Sequence, residues 1–286
     1  MTAISKIGVV GAGMMGSEIA LNFAISGKDV LLVDRTAEIA AQGKEKLKNV
    51  LDKAIKRGTF QANNKDKVLA NIVATGSYDK FQDRDIVVEA VFESLEVKTD
   101  VLKKLDNVCK KDCLLTSNTS SISITKLASC LKDERRGKFL GTHFFSPASI
   151  MKLVEVIPGL ETEQETISAV MDVCREIDKT PIKVKDVTGF VVNRILHIMW
   201  IEANRLLEEG VASPEDIDLA CKLGLGHPIG PYALMDITNN DLNLQVQEIL
   251  FDTYGERFRP RPILKQMVDG NHIGRKTGRG WYNYSK

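Results

Sequence analysis

The segment KIGVVGAGMMGSEIALNFAISG, residues 6 to 27, restricts what this chain can fold into more than any other. A short apolar run enters a turn bearing Gly11, Gly13 and Gly16, and a helical pattern closed by Gly27 follows. A strand feeding a helix through such a turn is the opening of a βαβ unit. The first glycine permits the tight turn, the second admits a pyrophosphate close to the backbone, and the third lets helix and strand approach. The helix start, at Met14 and Met15, then turns unpaired N–H groups and a partial positive charge toward the phosphates. A lone G-x-G-x-x-G is a weak signal, but here the next apolar run, DVLLVD, ends on Asp34. That acid would accept hydrogen bonds from an adenine ribose and repel a 2′-phosphate, which favours NAD as cofactor. Arg35 follows it and offers a guanidinium that a 2′-phosphate would use, so NADP stays open.

Further β-branched runs at NIVATG, DIVVEA, CLLTSN, KFLGTHFF, KLVEVI and PIKVK alternate with helical patterns, and residues about 36 to 71 read as one or two lysine-rich helices. This alternation predicts an α/β fold with an N-terminal Rossmann-like, doubly wound, mostly parallel sheet. From Thr188 onward the pattern is helical only, in FVVNRILHIMWIEANRLLEEG, SPEDIDLACKLG, PYALMDITNNDLNLQVQEILFDTYG and RPILKQMVDG. The expectation is therefore two domains, a nucleotide-binding one over 1–186 and an all-helical one over 187–286, the latter binding substrate and forming a homodimer.

The bulk properties exclude several classes of function. A formal net charge of +1 over 286 residues gives no reason to expect nucleic acid or an anionic membrane as partner. No apolar run approaches the roughly 20 residues that span a bilayer. The opening MTAISKIGVVGAG enters a strand almost at once, so no targeting segment is expected. Five cysteines at scattered positions form no disulfide framework, and Cys109 with Cys113 lacks a nearby histidine or third cysteine for a metal. A reducing, cytoplasmic setting and no metal are the expectations.

One histidine stands apart from the other three. His197 falls in a helix, His227 in a Gly/Pro-rich turn and His272 beside a glycine, whereas His143 sits at the carboxyl end of a predicted strand, where open α/β sheets bind ligands. Glu155 lies between Val154 and Val156 in KLVEVI, and an ionised carboxylate among such neighbours is costly unless paired. If SPAS turns the chain between adjacent strands, His143 is within reach as that partner. The carboxylate would then hold one ring nitrogen and leave the other to take a proton; a purely structural ion pair is the alternative. The polar loop SNTSS supplies Asn118, Ser120 and Ser121, either as a helix cap or as partners for a nicotinamide or a substrate oxygen. Asn193, in GFVVNRIL, needs a partner for its amide, which a substrate carbonyl or an interdomain contact would supply.

Taken together, GAGMMGSEIA, VVEAVFESLEVK, SNTSS, HFFSP, MKLVEVI, GFVVNRIL, EDIDLACKLGLGHPIGP and GRKTGRGWYNYS resemble the L-3-hydroxyacyl-CoA dehydrogenase family in its short, stand-alone form. The resemblance covers essentially the whole chain. It implies an NAD-dependent oxidoreductase that interconverts 3-hydroxyacyl-CoA and 3-ketoacyl-CoA, with His143 as acid/base, Glu155 as its partner, and Ser120 and Asn193 near the reacting oxygen. It further implies cofactor contacts from Glu93, Lys98, Asn118 and Lys276, and contacts from Lys53 and Arg57 to the phosphates of CoA. Without it, those last two would read as a solvated helix face.

Several residues depart from the family pattern. Ser146 stands where Asn is usual, beside the expected nicotinamide site, and Ser149 where Pro is usual. Thr188 replaces a proline, and Asn239 and Asn240 replace Gly-Leu. The reacting pair is intact, so these differences bear on the acyl group rather than the reaction. Two rival readings remain, a dehydrogenase of a free β-hydroxyacid and a non-catalytic, crystallin-like nucleotide-binding protein.

Overall fold

In the computed structural model, which describes residues 4–285, each β-branched run of the first half becomes a strand. The expectation that no leader precedes the fold rests partly on residues 1–3, which lie outside the described residues. The chain forms two compact units, one reaching to Val187 and one running from Thr188.

The first unit runs β1 (Lys6–Val10), α1 (Met14–Ile25), β2 (Asp29–Val33), α2 (Ala37–Lys56), α3 (Lys65–Ala70), β3 (Ile72–Thr75), β4 (Ile86–Glu89), α4 (Leu95–Val108) and β5 (Leu114–Ser117). It continues with α5 (Ile124–Ala128), α6 (Asp133–Arg136), β6 (Phe139–Phe144), β7 (Leu153–Pro158), α7 (Gln164–Glu176) and β8 (Thr180–Lys183). Among the described residues the strands form one sheet in the order β3-β2-β1-β4-β5-β6-β7-β8. Neighbours are parallel except β6 and β7, which are antiparallel. The sheet is mostly parallel and doubly wound, as expected. Its central strands are buried on both faces, which explains why they read as unbroken apolar runs rather than alternating ones. Ile7, Val9, Val30, Leu32, Ile86 and Val88 join Ile19, Phe23, Leu47 and Leu51 of α1 and α2 in the main core.

The second unit holds α8 (Val192–Glu208), α9 (Pro214–Gly224), α10 (Pro231–Thr238), α11 (Asn240–Tyr254) and α12 (Pro262–Asp269). It is helical apart from single-residue bridges that pin Arg279 to Gly274 and Asn283. The stretch PYALMDITNNDLNLQVQEILFDTYG, which reads as one helix, is two. The break is at Asn239, whose φ of 75° lies in the region that favours glycine. Asn240 is buried and ties down the C-terminal tail. Its Nδ2 donates to the His272 carbonyl at 2.9 Å, and its Oδ1 accepts from Trp281 Nε1 at 3.1 Å. Asn239→Gly should relieve the strain and stabilise the protein by about 1 kcal/mol. Thermal denaturation checks this, and an unchanged or lower midpoint would contradict it.

Candidate active site

The glycine turn lies where the strand order reverses, since β1 has β2 on one side and β4 on the other. Ligands of open α/β sheets bind in that crevice, beyond the carboxyl ends of the strands. Gly11 has φ 102°, and a Cβ there would stand 2.5 Å from the Ala90 carbonyl oxygen of the strand-end beside it. A Cβ on Gly16 would collide with the Gly11 carbonyl, whereas one on Gly13 would meet nothing within 4 Å. The first and third glycines are thus required by the protein's own packing. The second, at the N-cap of α1, is free of such packing and leaves room for a phosphate to approach the backbone. Met14 beside it is largely exposed and Met15 half-buried.

Asp34 Oδ2 accepts the Ala12 N–H at 2.6 Å and Oδ1 accepts the Arg35 N–H at 2.7 Å. The acid is therefore fixed against the glycine turn and half-buried, while the Arg35 side chain is exposed. These residues fit NAD. Gly43, in the middle of α2, was not singled out by its sequence. A Cβ there would press on the Ala12 carbonyl and Ser17 Oγ, so this glycine lets α2 lie against the turn. A glycine inside a long helical pattern was the available signal.

At the carboxyl ends of β4 and β5 lies a buried ionic cluster. Glu89, the last residue of β4, and Lys98, on the first turn of α4, have no exposed surface. Lys98 Nζ sits 2.9 and 3.1 Å from the Glu89 oxygens, and Ser117 Oγ donates to the same carboxylate at 2.5 Å. The ammonium is also 3.4 Å from Glu93. Glu93 Oε1 in turn gathers the SNTSS loop. It accepts Thr119 Oγ1 at 2.6 Å, the N–H groups of Ser120 and Ser121 at 2.9 Å each, and Ser121 Oγ at 3.0 Å. Burial alone would raise its pKa, but the Lys98 charge and these hydrogen bonds outweigh it and hold the carboxyl below its usual value.

The loop so gathered delivers Ser120 to His143. Ser120 Oγ lies 2.9 Å from Nε2, and Nδ1 lies 2.7 Å from Glu155 Oε2. The antiparallel register sets His143 directly opposite Glu155, on adjacent strands and facing the same way. Both are buried, with exposures of 5% and 0%. With Glu155 ionised, Nδ1 carries the proton and Nε2 accepts one from a hydroxyl. Asn118 joins the same edge, its Oδ1 accepting the Phe144 N–H at 2.9 Å. Ser146 is exposed and precedes Pro147 through a cis peptide bond.

The other candidate residues belong to other elements. Lys53 and Arg57 are exposed at the C-terminal end of α2. Asn193 and Lys276 belong to the second unit, Asn193 half-buried in the first turn of α8 and Lys276 exposed on a short turn at Arg275–Thr277. His197 is buried in α8, and burial pushes its pKa down to about 3, which keeps it uncharged. Among the described residues no three potential ligands are grouped to hold a metal ion, and no helix is long and apolar enough to cross a membrane.

Residues 6–187 match the family model "3-hydroxyacyl-CoA dehydrogenase, NAD binding domain", and residues 189–284 match "3-hydroxyacyl-CoA dehydrogenase, C-terminal domain". The chain is 42% identical to the 3-hydroxybutyryl-CoA dehydrogenase of Clostridioides difficile, over 98% of this chain and 100% of that one. It is 38% identical to the mitochondrial hydroxyacyl-coenzyme A dehydrogenase of Homo sapiens, over 98% and 91% respectively. The crystal structure of (S)-3-hydroxybutyryl-CoA dehydrogenase PaaH1 from Ralstonia eutropha superposes with a TM-score of 0.94 at 43% identity, covering 99% of this chain and 100% of that one. The chain belongs to the 3-hydroxyacyl-CoA dehydrogenase family and is an NAD-dependent oxidoreductase.

Proposed function

We propose that this protein interconverts (S)-3-hydroxyacyl-CoA and 3-ketoacyl-CoA, with His143 as acid/base and Glu155 as its orienting partner. The observation that carries this reading is the continuous Ser120–His143–Glu155 chain of hydrogen bonds at the carboxyl edge of the sheet. When bound, NAD would supply the hydride acceptor for C3 of the alcohol. His143 Nε2, the nitrogen that faces Ser120 rather than Glu155, receives the C3 hydroxyl proton. The substrate hydroxyl takes over the hydrogen bond that Ser120 makes to the ring. Ser120 then turns to the substrate oxygen, where it and Asn193 stabilise negative charge as it grows. Glu155 stays ionised, holds the imidazole in one tautomer and stabilises the imidazolium that forms. In the reverse direction the imidazolium returns its proton to the developing alkoxide.

The cofactor positions in this reading are Gly11, Gly13, Met14, Met15, Gly16, Asp34, Arg35, Glu93, Asn118, Ser120, Ser146 and Lys276, with Lys98 acting through Glu93. Lys53 and Arg57 hold the CoA phosphates, as two cations four residues apart at a helix end are suited to do. Residues 1–186 carry the nucleotide, and 187–286 take part in substrate binding and homodimerisation. Exposed Ile195, Leu219, Leu223, Leu225 and Leu242 in the second unit support the latter. The free thiols and the lack of a membrane-crossing helix among the described residues are consistent with a cytoplasmic enzyme.

Steady-state kinetics with acetoacetyl-CoA and longer 3-ketoacyl-CoAs, comparing NADH with NADPH and with free 3-ketoacids, test the assignment. Turnover of the free acids but not of the thioesters would overturn it. Ser146→Asn is expected to raise kcat/KM for acetoacetyl-CoA relative to a bulky 3-ketoacyl-CoA by about 3- to 10-fold, the scale of one pocket contact. An unchanged ratio would place Ser146 outside the acyl site.

A further inference from the structure

The loop of residues 145–152 joins β6 to β7 and so lies between His143 and Glu155 in sequence. Its backbone is held by three polar side chains from outside the loop. Glu18 Oε2 accepts both the N–H and the hydroxyl of Ser149, each at 2.9 Å. Asn22 Nδ2 donates to the Ala148 carbonyl at 2.9 Å. Lys179 Nζ donates to that carbonyl at 2.6 Å and to the Met151 carbonyl at 3.0 Å. Glu18, Asn22 and Lys179 are 7%, 6% and 7% exposed.

Burying a carboxylate, an amide and an ammonium for the sake of three loop residues is a costly way to tie down a chain segment. Apolar side chains would do so at less expense in desolvation. This loop has such side chains, yet Ile150 and Met151 are 54% and 43% exposed. The anchoring therefore falls on the backbone, from both its N–H and its C=O sides, and two adjacent apolar side chains are left outward. Two of the three anchors, Glu18 and Asn22, lie one turn apart on α1, the helix that starts at the glycine turn. The clamp thus fixes the loop relative to both the nucleotide crevice and the His143 strand. Ser149 stands where the family pattern has proline, which lacks an N–H and a hydroxyl, so the Glu18 link belongs to this chain's own version of the loop.

We propose that Glu18, Asn22 and Lys179 are positioning residues that fix the loop so that Ile150 and Met151 form an apolar wall for the acyl chain of the substrate. The inference deepens the functional reading above and rests on it. The substrate class it selects is a 3-ketoacyl-CoA whose acyl chain is apolar and long enough to reach that wall.

The test is kinetic. Glu18→Ala should raise KM for a six-carbon 3-ketoacyl-CoA by about 10-fold, the order expected for a small misplacement of a binding element, with kcat and KM for NADH little changed. Glu18→Gln keeps an oxygen acceptor for Ser149 and should restore most of that KM, which a generally weakened fold would not do. Ile150→Ala with Met151→Ala should raise KM for the six-carbon substrate more than for acetoacetyl-CoA. If Glu18→Ala does not fold, Ser149→Pro removes both donors from the loop side and carries the same expectation. An unchanged acyl-CoA KM in the clamp variants, or equal effects of the Ile150/Met151 change on both chain lengths, would overturn the inference alone. A wild-type protein inactive on both thioesters would overturn the functional reading itself.

Discussion

His143→Asn is expected to lower kcat by about 100- to 10,000-fold, the usual worth of a positioned acid/base, and to leave NADH affinity within about twofold of wild type. Asparagine is the informative replacement. Its side-chain N–H2 can stand near the place of Nδ1 and keep a donor for Glu155, so the buried carboxylate is not stranded. What it lacks is a group that takes a proton at the position of Nε2, which faces Ser120 at 2.9 Å. Fluorescence titration with NADH and single-turnover reduction of acetoacetyl-CoA separate binding from chemistry. Glu155→Gln should cause a smaller fall, because the ring keeps a neutral partner while its imidazolium loses a counter-charge. A near-normal kcat for His143→Asn would mean that the Ser120–His143–Glu155 chain is structural and that the proton moves elsewhere.

The second large effect concerns stability. Lys98→Met should destabilise the protein by about 3–5 kcal/mol, because it leaves Glu89 buried without its cation. Glu89 would keep the Ser117 hydroxyl and the Val91 N–H, at 2.5 and 2.7 Å, but neither neutralises the carboxylate. Removing both charges, as Glu89→Gln with Lys98→Met, should recover much of the loss, since a neutral pair no longer demands compensation. Urea denaturation of the two variants measures the difference. Equal losses in the single and double variants would show that packing rather than charge is at issue. Lys98→Met should also loosen Glu93, whose carboxylate gathers Ser120 and Ser121, and so weaken NADH binding along with the fold.

That pair also marks where the sequence was legible and where it was not. The strands and the glycine turn were readable because buried parallel strands leave unbroken β-branched runs, and glycine is the residue that accepts φ 102° at position 11. His143 and Glu155 could be joined because both lie in adjacent strands and a charge between two valines needs a partner. Glu89 gives the same signal in DIVVEA, yet its partner lies nine residues on, across a turn whose path no periodicity reveals. Lys98 came to attention only through the family resemblance, and it is fully buried against Glu89. Glu18 and Asn22 were hidden for another reason. They occupy a helix that is buried nearly all round, and nothing in its pattern tells which polar residue will hold a loop distant in sequence. The break at Asn239 escaped because asparagine fits a helical pattern in sequence and a positive φ in space.

The antiparallel pairing of β6 with β7 has a consequence for how this part of the protein can change over generations or in a library. His143 faces Glu155 because residues 145–152 span a set number of positions between the two strands. Side chains alternate along a strand, so one residue gained or lost would either slip the register or be absorbed in the loop at the expense of its clamp. A slip by one position would swing Glu155 to the opposite face. Surface loops ordinarily tolerate insertions and deletions well. Here, exchange of residues keeps the register of β6 and β7, whereas a change in length does not. Mutational scans should therefore find this segment more tolerant of exchange than of frame-preserving indels.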